Sequence, residues 1–84
     1  MRKYSILLVD NDPIITKGTG DDLEEKGYEV TTADSGEKAI ELIENATFDL
    51  VMGPINGIGV LERAKEISPE TMVIILTGFI IIKS

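Results

Sequence analysis

The sequence predicts an α/β fold in which a parallel sheet is covered by helices on both faces, giving three layers. Short apolar runs of the length of buried strands alternate with stretches whose apolar residues recur at helical spacing. This alternation is typical of βαβ units, which build a parallel sheet. With 84 residues and no linker or repeat, the chain is expected to form one domain over residues 1–84.

The first strand is predicted over residues 4–9, and its carboxyl end is acidic. Asp10, Asn11 and Asp12 follow the strand directly, and Pro13 suits the first position of a helix whose N-cap is Asp12. In open α/β sheets, ligands bind beyond the carboxyl ends of the strands, so carboxylates there either hold a cation or do chemistry. The simpler interpretation is that Asp12 caps the helix, whereas Asp10 and Asn11 only turn the chain.

The remaining elements follow from apolar spacing and from residues that favour helix ends. Gly27 is expected to close the first helix, and Ser35 to cap the second. The first helix contains two glycines, so it must be held by the packing of Ile14, Ile15 and Leu23. The predicted helices are 13–26, 36–45 and 58–67, and the later apolar stretches are 28–32, 48–52, 72–76 and the tail 79–82.

Composition narrows the possible functions. The chain is 43% hydrophobic and 27% charged, as is usual for a soluble globular protein, and it has no cysteine or histidine. Disulfides, thiol nucleophiles, Ser-His-Asp catalysis and the usual zinc sites are therefore excluded. The net charge of −7 argues against direct binding to nucleic acid or an anionic membrane, and it is compatible with Mg²⁺ and a basic partner. No signal peptide or membrane span is recognised, so a cytoplasmic location is expected.

Several segments together resemble the receiver domain of bacterial response regulators. They are residues 9–13, 27–30, 33–39, 49–57 and 73–78. The resemblance covers about residues 3–79 and implies a flavodoxin-like, doubly wound parallel sheet with strand order 2-1-3-4-5. It also implies a signalling module rather than an enzyme that turns over a substrate. Such a module accepts a phosphoryl group on an aspartate from a histidine kinase, with Mg²⁺ neutralising the phosphoryl oxygens.

The resemblance assigns roles to individual residues. Asp10 and Asn11 match the family's acidic pair, so Mg²⁺ would be held by Asp10, Asn11 and the acceptor Asp49. Thr77 matches the switch hydroxyl, and Lys83 the lysine that contacts the phosphate. Asn11 departs from the pattern, because an amide oxygen can ligate Mg²⁺ but brings no charge. The affinity for the cation should therefore fall.

Two interpretations of the third strand remain open. In the first, Asp49 is the acceptor, because the spacing downstream of it keeps the family's pattern, and only residues 46–48 build the strand. This interpretation, which we favour, predicts that Asp10 and Asp49 lie close enough to share a divalent ion. In the second, residues 48–52 are the strand, Pro54 stands where the acceptor belongs, and part of the next loop is missing. Asp49 is then simply an acid at the strand edge.

The C-terminal part departs further from the family. The family's fourth helix, fifth strand and fifth helix have no separate counterparts in this sequence. Residues 79–83 resemble the fifth strand of the family, joined directly to the fourth strand. A domain without its last two helices should leave the strand at 72–76 with a bare apolar edge and an uncovered face. Because such edges pair with other chains, we expect a homo-oligomer formed through this edge or by exchange of residues 79–82.

Two other functions compete with the phosphorylated receiver. One is a degenerate receiver or fragment that acts as a non-phosphorylated interaction or assembly module. The other is a phosphohydrolase of the haloacid-dehalogenase type, since that family also begins with a strand followed by Asp-x-Asp and has a strand ending in threonine. Asp10 would then be the nucleophile, Asp12 the acid/base, and Thr77 the strand-end hydroxyl.

Overall fold

The chain folds as an α/β domain with a single five-stranded sheet. The structure is a computed structural model that describes residues 3–53, 58–75 and 80–82. The strands are β1 Ser5–Val9, β2 Glu29–Ala33, β3 Leu50–Gly53, β4 Met72–Ile75 and β5 Ile80–Ile82. The helices are α1 Pro13–Glu25, α2 Gly36–Asn45 and α3 Ile58–Ile67. No helix within these described ranges is long and apolar enough to cross a membrane.

The strand order is β2-β1-β3-β4-β5, as the flavodoxin-like prediction requires. Strands β1 to β4 run parallel, whereas β5 runs antiparallel to β4. The predicted flavodoxin-like fold, shortened at its C-terminal end, is therefore confirmed, and β5 pairs antiparallel because it follows β4 after a connection too short for a crossover helix. The edge of β4, predicted to be bare, is paired along Val73–Ile75 with β5.

Helix ends form where local chemistry predicts them. The Asp12 carboxylate accepts a hydrogen bond of 2.9 Å from the Ile14 N–H, and the Ser35 hydroxyl accepts one of 3.2 Å from the Lys38 N–H. Gly27, directly after α1, has a φ of 97°, a conformation that favours glycine. The predicted inward packing of Ile14 is wrong, because its side chain is 81% exposed.

The main core lies between the sheet and the helices α2 and α3. Alternate residues of the central strands point to this side, including Leu7 of β1, Val51 of β3 and Val73 of β4. They pack with Ala39, Ile43, Leu61 and Ala64 from the two helices. Helix α1 packs mainly against β1 and β2. The chain moves in one direction across the sheet from β1 to β2, and in the other direction from β2 past β1 to β3. Because such crossovers are right-handed, α1 lies on the opposite face of the sheet from α2 and α3.

Candidate functional site

The carboxyl ends of β1 and β2 form a polar cleft. Asp10 follows β1 and Asp34 follows β2, and the backbone N–H of Asp10 donates to the Ala33 carbonyl at 3.0 Å. This bond continues the β1–β2 pairing by one step, so the two acidic turns leave the sheet side by side. The cleft is lined by Asp10, Asn11, Thr16, Thr32 and Asp34, among others. Asp34 belongs to the segment 33–39 that resembles receivers, but its place in this cleft was not predicted from the sequence.

Asp10 and Asp12 have different tasks in this turn. One Asp10 oxygen accepts a hydrogen bond of 2.9 Å from the Asp12 N–H, which fixes the carboxylate over the turn. The Asp12 side chain is used to cap α1 through Ile14. The simpler interpretation is therefore confirmed for Asp12, whereas the half-buried Asp10 and the exposed Asn11 line the cleft.

The neighbouring strand end, that of β3, carries no carboxylate among the described residues. β3 spans Leu50–Gly53 and pairs in parallel with β1, with Leu8 opposite Met52. Gly53 ends it, and a Cβ atom added there would lie 3.3 Å from the Val9 carbonyl oxygen. The two strands are therefore in close contact just below Asp10. Pro54 follows in sequence and lies outside the described residues.

Asp49 lies at the amino ends of the strands, whereas Asp10 lies at their carboxyl ends. We call these two ends the amino edge and the carboxyl edge of the sheet. Asp49 precedes β3, and its backbone N–H donates to the Ser5 carbonyl at 2.9 Å, at the start of β1. Asp10 follows the last residue of β1, about 16 Å away at about 3.3 Å per strand residue. Mg²⁺ ligands lie about 2.1 Å from the ion, so these two carboxylates do not share one. The predicted pairing of Asp10 with Asp49 is wrong.

The underlying error concerns the third strand. Residues 46–48 do not form it, and the alternative interpretation, which placed a strand at 48–52, is close to the observed Leu50–Gly53. Asp49 therefore precedes the third strand at the amino edge, whereas the resemblance places the acceptor at the carboxyl end of that strand. Thr77 and Lys83, the other two residues assigned by the resemblance, lie outside the described residues, and their roles stay predictions.

The cleft offers few protein ligands to a cation. Within residues 3–53, 58–75 and 80–82, no group of three or more acidic side chains is arranged to hold a metal ion. Mg²⁺ commonly binds through one or two carboxylates and completes its shell with water and phosphate oxygens. A site built on Asp10 with the Asn11 amide is compatible with that chemistry, although it has fewer charges than a pair of carboxylates.

Comparison with known proteins identifies the family. Residues 6–82 match the response regulator receiver domain. The chain is 35% identical over 79 residues to the response regulator receiver protein CpdR of Brucella abortus, covering 88% of this chain and 66% of CpdR. A CheY-like receiver domain from Methanospirillum hungatei superposes with a TM-score of 0.87 at 33% identity, covering 94% of this chain and 67% of that one.

A third relative, the response regulator TrrA of Thermotoga maritima, has been solved in two complexes. With Mg²⁺-BeF, it superposes with a TM-score of 0.80 at 30% identity, covering 86% of this chain and 67% of TrrA. With the histidine kinase ThkA, the TM-score is 0.81 at 31% identity, and the coverage is 89% and 69%. The chain therefore belongs to the response regulator receiver domain family, the receivers of phosphorelay signal transduction. It spans 18% to 66% of the length of the first curated relatives that it matches.

Proposed function

We propose that this chain is a receiver module of a phosphorelay, which takes its signal from a histidine kinase at the carboxyl edge of the sheet. One observation carries the proposal: the acidic turn at Asp10 and Asn11 lies at the strand end that borders α1, within a family match over residues 6–82. A histidine kinase as partner is supported by the similarity to TrrA, which has been solved with one. The module works as a switch in the cytoplasm rather than as a metabolic enzyme.

Mg²⁺ is the cofactor that fits this edge. The Asp10 carboxylate and the Asn11 amide would supply protein oxygens, and Asp49 would not, because it lies at the other edge. When bound, Mg²⁺ neutralises the oxygens of an incoming phosphoryl group. The Asp10 carboxylate is held over the turn by the hydrogen bond that one of its oxygens accepts from the Asp12 N–H, and the residue lines the cleft. The Mg²⁺-BeF complex of TrrA supports the same cofactor for this family member.

A second candidate function is favoured by the end of β3. The resemblance places the acceptor there, but Gly53 ends the strand, and the next residue in the sequence, which stands where the acceptor belongs, is Pro54. A chain without an acceptor at that position would act as a non-phosphorylated interaction or assembly module. Association of two copies through a strand edge stays a prediction, and the exposed edge on that side of the sheet would now be β5 rather than β4. The hydrolase alternative is not retained, because the family match is to receivers and Asp12 caps α1.

Phosphorylation with a small donor separates these functions. The protein is incubated with acetyl phosphate and Mg²⁺ and its intact mass is measured, beside Asp10→Asn, Asp34→Asn and Asp49→Asn. Borohydride reduction and peptide mapping then identify the modified aspartate. An adduct at the carboxyl edge that survives Asp49→Asn supports the phosphorelay receiver. An adduct on Asp49 itself would contradict the placement of the site, and no adduct in any sample would favour the interaction module.

A further inference from the structure

An open groove runs along the outer surface of α2, beside the first turn of α3. We call it the α2 groove, and its volume is about 660 Å³. Its apolar lining consists of Ile40 on α2 and Val60 on α3, both half-buried. The two helices meet closely here, since a Cβ atom added at Gly36 would lie 2.5 Å from Cγ2 of Val60. None of the residues that line this groove lines the cleft at Asp10, so it is a separate surface.

Three exposed glutamates form the acidic side of the α2 groove. Glu37, Glu41 and Glu44 all line it, and their spacing of four and three residues places them on one face of α2. Like charges at this spacing repel each other and destabilise a helix. Lys38 lies 3.9 Å from Glu41, whereas Glu37 and Glu44 form no ion pair within the described part of the chain. The repulsion along α2 is therefore only partly offset by the protein itself.

The charge of the α2 groove determines which partner it fits. Positive charges placed beside the three glutamates would relieve their repulsion. The phosphates of nucleic acid or of an anionic membrane would increase it, and a second copy of this chain would bring another −7. The groove therefore fits a segment of another protein that carries Lys or Arg residues.

The size of the α2 groove limits that segment to a few residues. From Gly36 to Glu44, α2 rises by about 12 Å, which an extended chain spans with about four residues. Side chains on one face of an extended chain recur about every 6.7 Å, and Glu37 and Glu41 are about 6 Å apart along α2. Basic residues at alternate positions can therefore each face a glutamate. Ile40 and Val60 offer a contact for one aliphatic side chain, whereas an amphipathic helix would need a repeated apolar stripe.

We propose that the α2 groove binds a short, extended, basic segment of a partner protein. Lys or Arg residues at alternate positions face the glutamates, and one aliphatic side chain packs on Ile40 and Val60. This binding goes beyond the proposed phosphorelay function and does not need phosphorylation. A failure of phosphoryl transfer would therefore leave the inference intact, and a failure of peptide binding would leave the receiver function intact.

Three synthetic peptides test the proposal. Each has about seven residues, roughly 23 Å when extended. The first has arginine at alternate positions and one leucine, with serine elsewhere; the second has glutamate in place of arginine, and the third has serine in place of leucine. The methyl groups of Ile40 and Val60 report on binding by NMR at about 0.15 M salt, which screens long-range attraction. We expect saturable shifts with the first peptide, which should bind at least about tenfold more tightly than the second and threefold more tightly than the third.

A matched pair of variants locates the binding surface. Glu44→Lys and Glu24→Lys each replace an exposed glutamate that is the last residue but one of its helix, so both change the net charge and the helix-end charge alike. Glu44→Lys should weaken binding of the arginine peptide at least about threefold, whereas Glu24→Lys, outside the groove, should leave it unchanged. Circular dichroism shows whether each variant is folded, and Glu37→Gln replaces Glu44→Lys if the latter is not.

Four outcomes would overturn the proposal. The first is the absence of saturable shifts with the arginine peptide. Equal effects of Glu44→Lys and Glu24→Lys would show that net charge alone attracts the peptide. Equal affinity for the leucine and serine peptides would favour a site that takes any cation. A dimer in sedimentation that the arginine peptide dissociates would favour a second copy of this chain as the occupant.

Discussion

The Asp49 carboxylate accepts a hydrogen bond of 2.8 Å from the backbone N–H of Ser5, the first residue of β1. The Ser5 hydroxyl is a second, longer donor at 3.4 Å, and the Asp49 N–H returns a bond to the Ser5 carbonyl at 2.9 Å. Asp49 also accepts from the Met72 N–H through its own carbonyl at 3.1 Å. It therefore links the starts of three neighbouring strands, which is a structural task at the edge away from Asp10.

The first prediction is that replacing Asp49 lowers stability. Asp49→Ala removes a charged acceptor from a partly buried N–H, so the free energy of unfolding should fall by about 1.5–3 kcal/mol. Asp49→Asn keeps an acceptor oxygen and should cost less. Urea denaturation measures both. Asp34→Ala, an exposed aspartate, is the control and should change stability by less than about 0.5 kcal/mol. Equal stability of Asp49→Ala and wild type would refute the structural task.

The second prediction concerns Thr71, a buried polar residue in the turn before β4. Its side chain is 3% exposed, and its hydroxyl donates to the Phe48 carbonyl at 2.8 Å and contacts the Ser68 hydroxyl at 2.7 Å. Thr71→Val keeps the shape but leaves these partners unpaired, so it should cost about 1–3 kcal/mol. Thr71→Ser keeps the hydroxyl and should cost about 1 kcal/mol for the lost methyl group. A larger loss in Thr71→Ser, measured by thermal unfolding, would show that packing and not hydrogen bonding dominates there.

The third prediction compares two glycines in helices. A Cβ at Gly36, the first residue of α2, would lie 2.5 Å from Cγ2 of Val60 on α3, and a β-branched side chain has little freedom to move away. Gly36→Ala should therefore destabilise the protein by about 1–3 kcal/mol. Gly18→Ala meets nothing within 4 Å inside α1 and should stabilise the protein by about 0.5–1 kcal/mol. Urea denaturation of both variants measures whether the free energy of unfolding falls in Gly36→Ala and rises in Gly18→Ala.

The close approach of α2 and α3 at Gly36 can also be tested by shortening Val60, the side chain that a new Cβ atom would contact. Val60→Ala removes both γ carbons, so the double variant Gly36→Ala/Val60→Ala should be more stable than the sum of the single changes predicts. Strict additivity of the two single changes would show that the helices do not meet at this point.

Local features of the fold were predictable from the sequence because they depend on neighbouring residues. The caps at Asp12 and Ser35 and the glycine at 27 each act within one helix turn, and all three are observed. The start of β3 was not predictable in this way. It is set by pairing with β1, in which Ile6 lies opposite Leu50, and no pattern within residues 46–53 distinguishes the two registers.

The candidate site shows the same limit. Asp10 was correctly placed at a strand end because the strand before it is a continuous apolar run. The predicted position of Asp49 depended on where the third strand was expected to lie. Because the strand is Leu50–Gly53 rather than residues 46–48, the position predicted for Asp49 was wrong as well. The groove lined by Tyr4, Tyr28 and Met72 at the amino ends of the strands was missed because these residues are far apart in the sequence. Such residues meet only through the order of strands in the sheet.

The fourth prediction tests the cation site at the carboxyl edge. Asn11 supplies an amide oxygen beside Asp10, so Asn11→Asp adds a second negative charge where Mg²⁺ would bind. The affinity for Mg²⁺ should rise at least about tenfold, which is about 1.4 kcal/mol, in calorimetric titration. In EDTA, the same variant should be less stable than wild type, because the two carboxylates repel each other, and Mg²⁺ should reverse that loss.

Two control variants locate the cation site. Asp10→Asn should abolish Mg²⁺ binding, whereas Asp49→Asn should leave it unchanged, since Asp49 lies at the opposite edge. A loss of Mg²⁺ binding in Asp49→Asn would contradict the placement of the site, because only a cation bound at the amino edge depends on that residue.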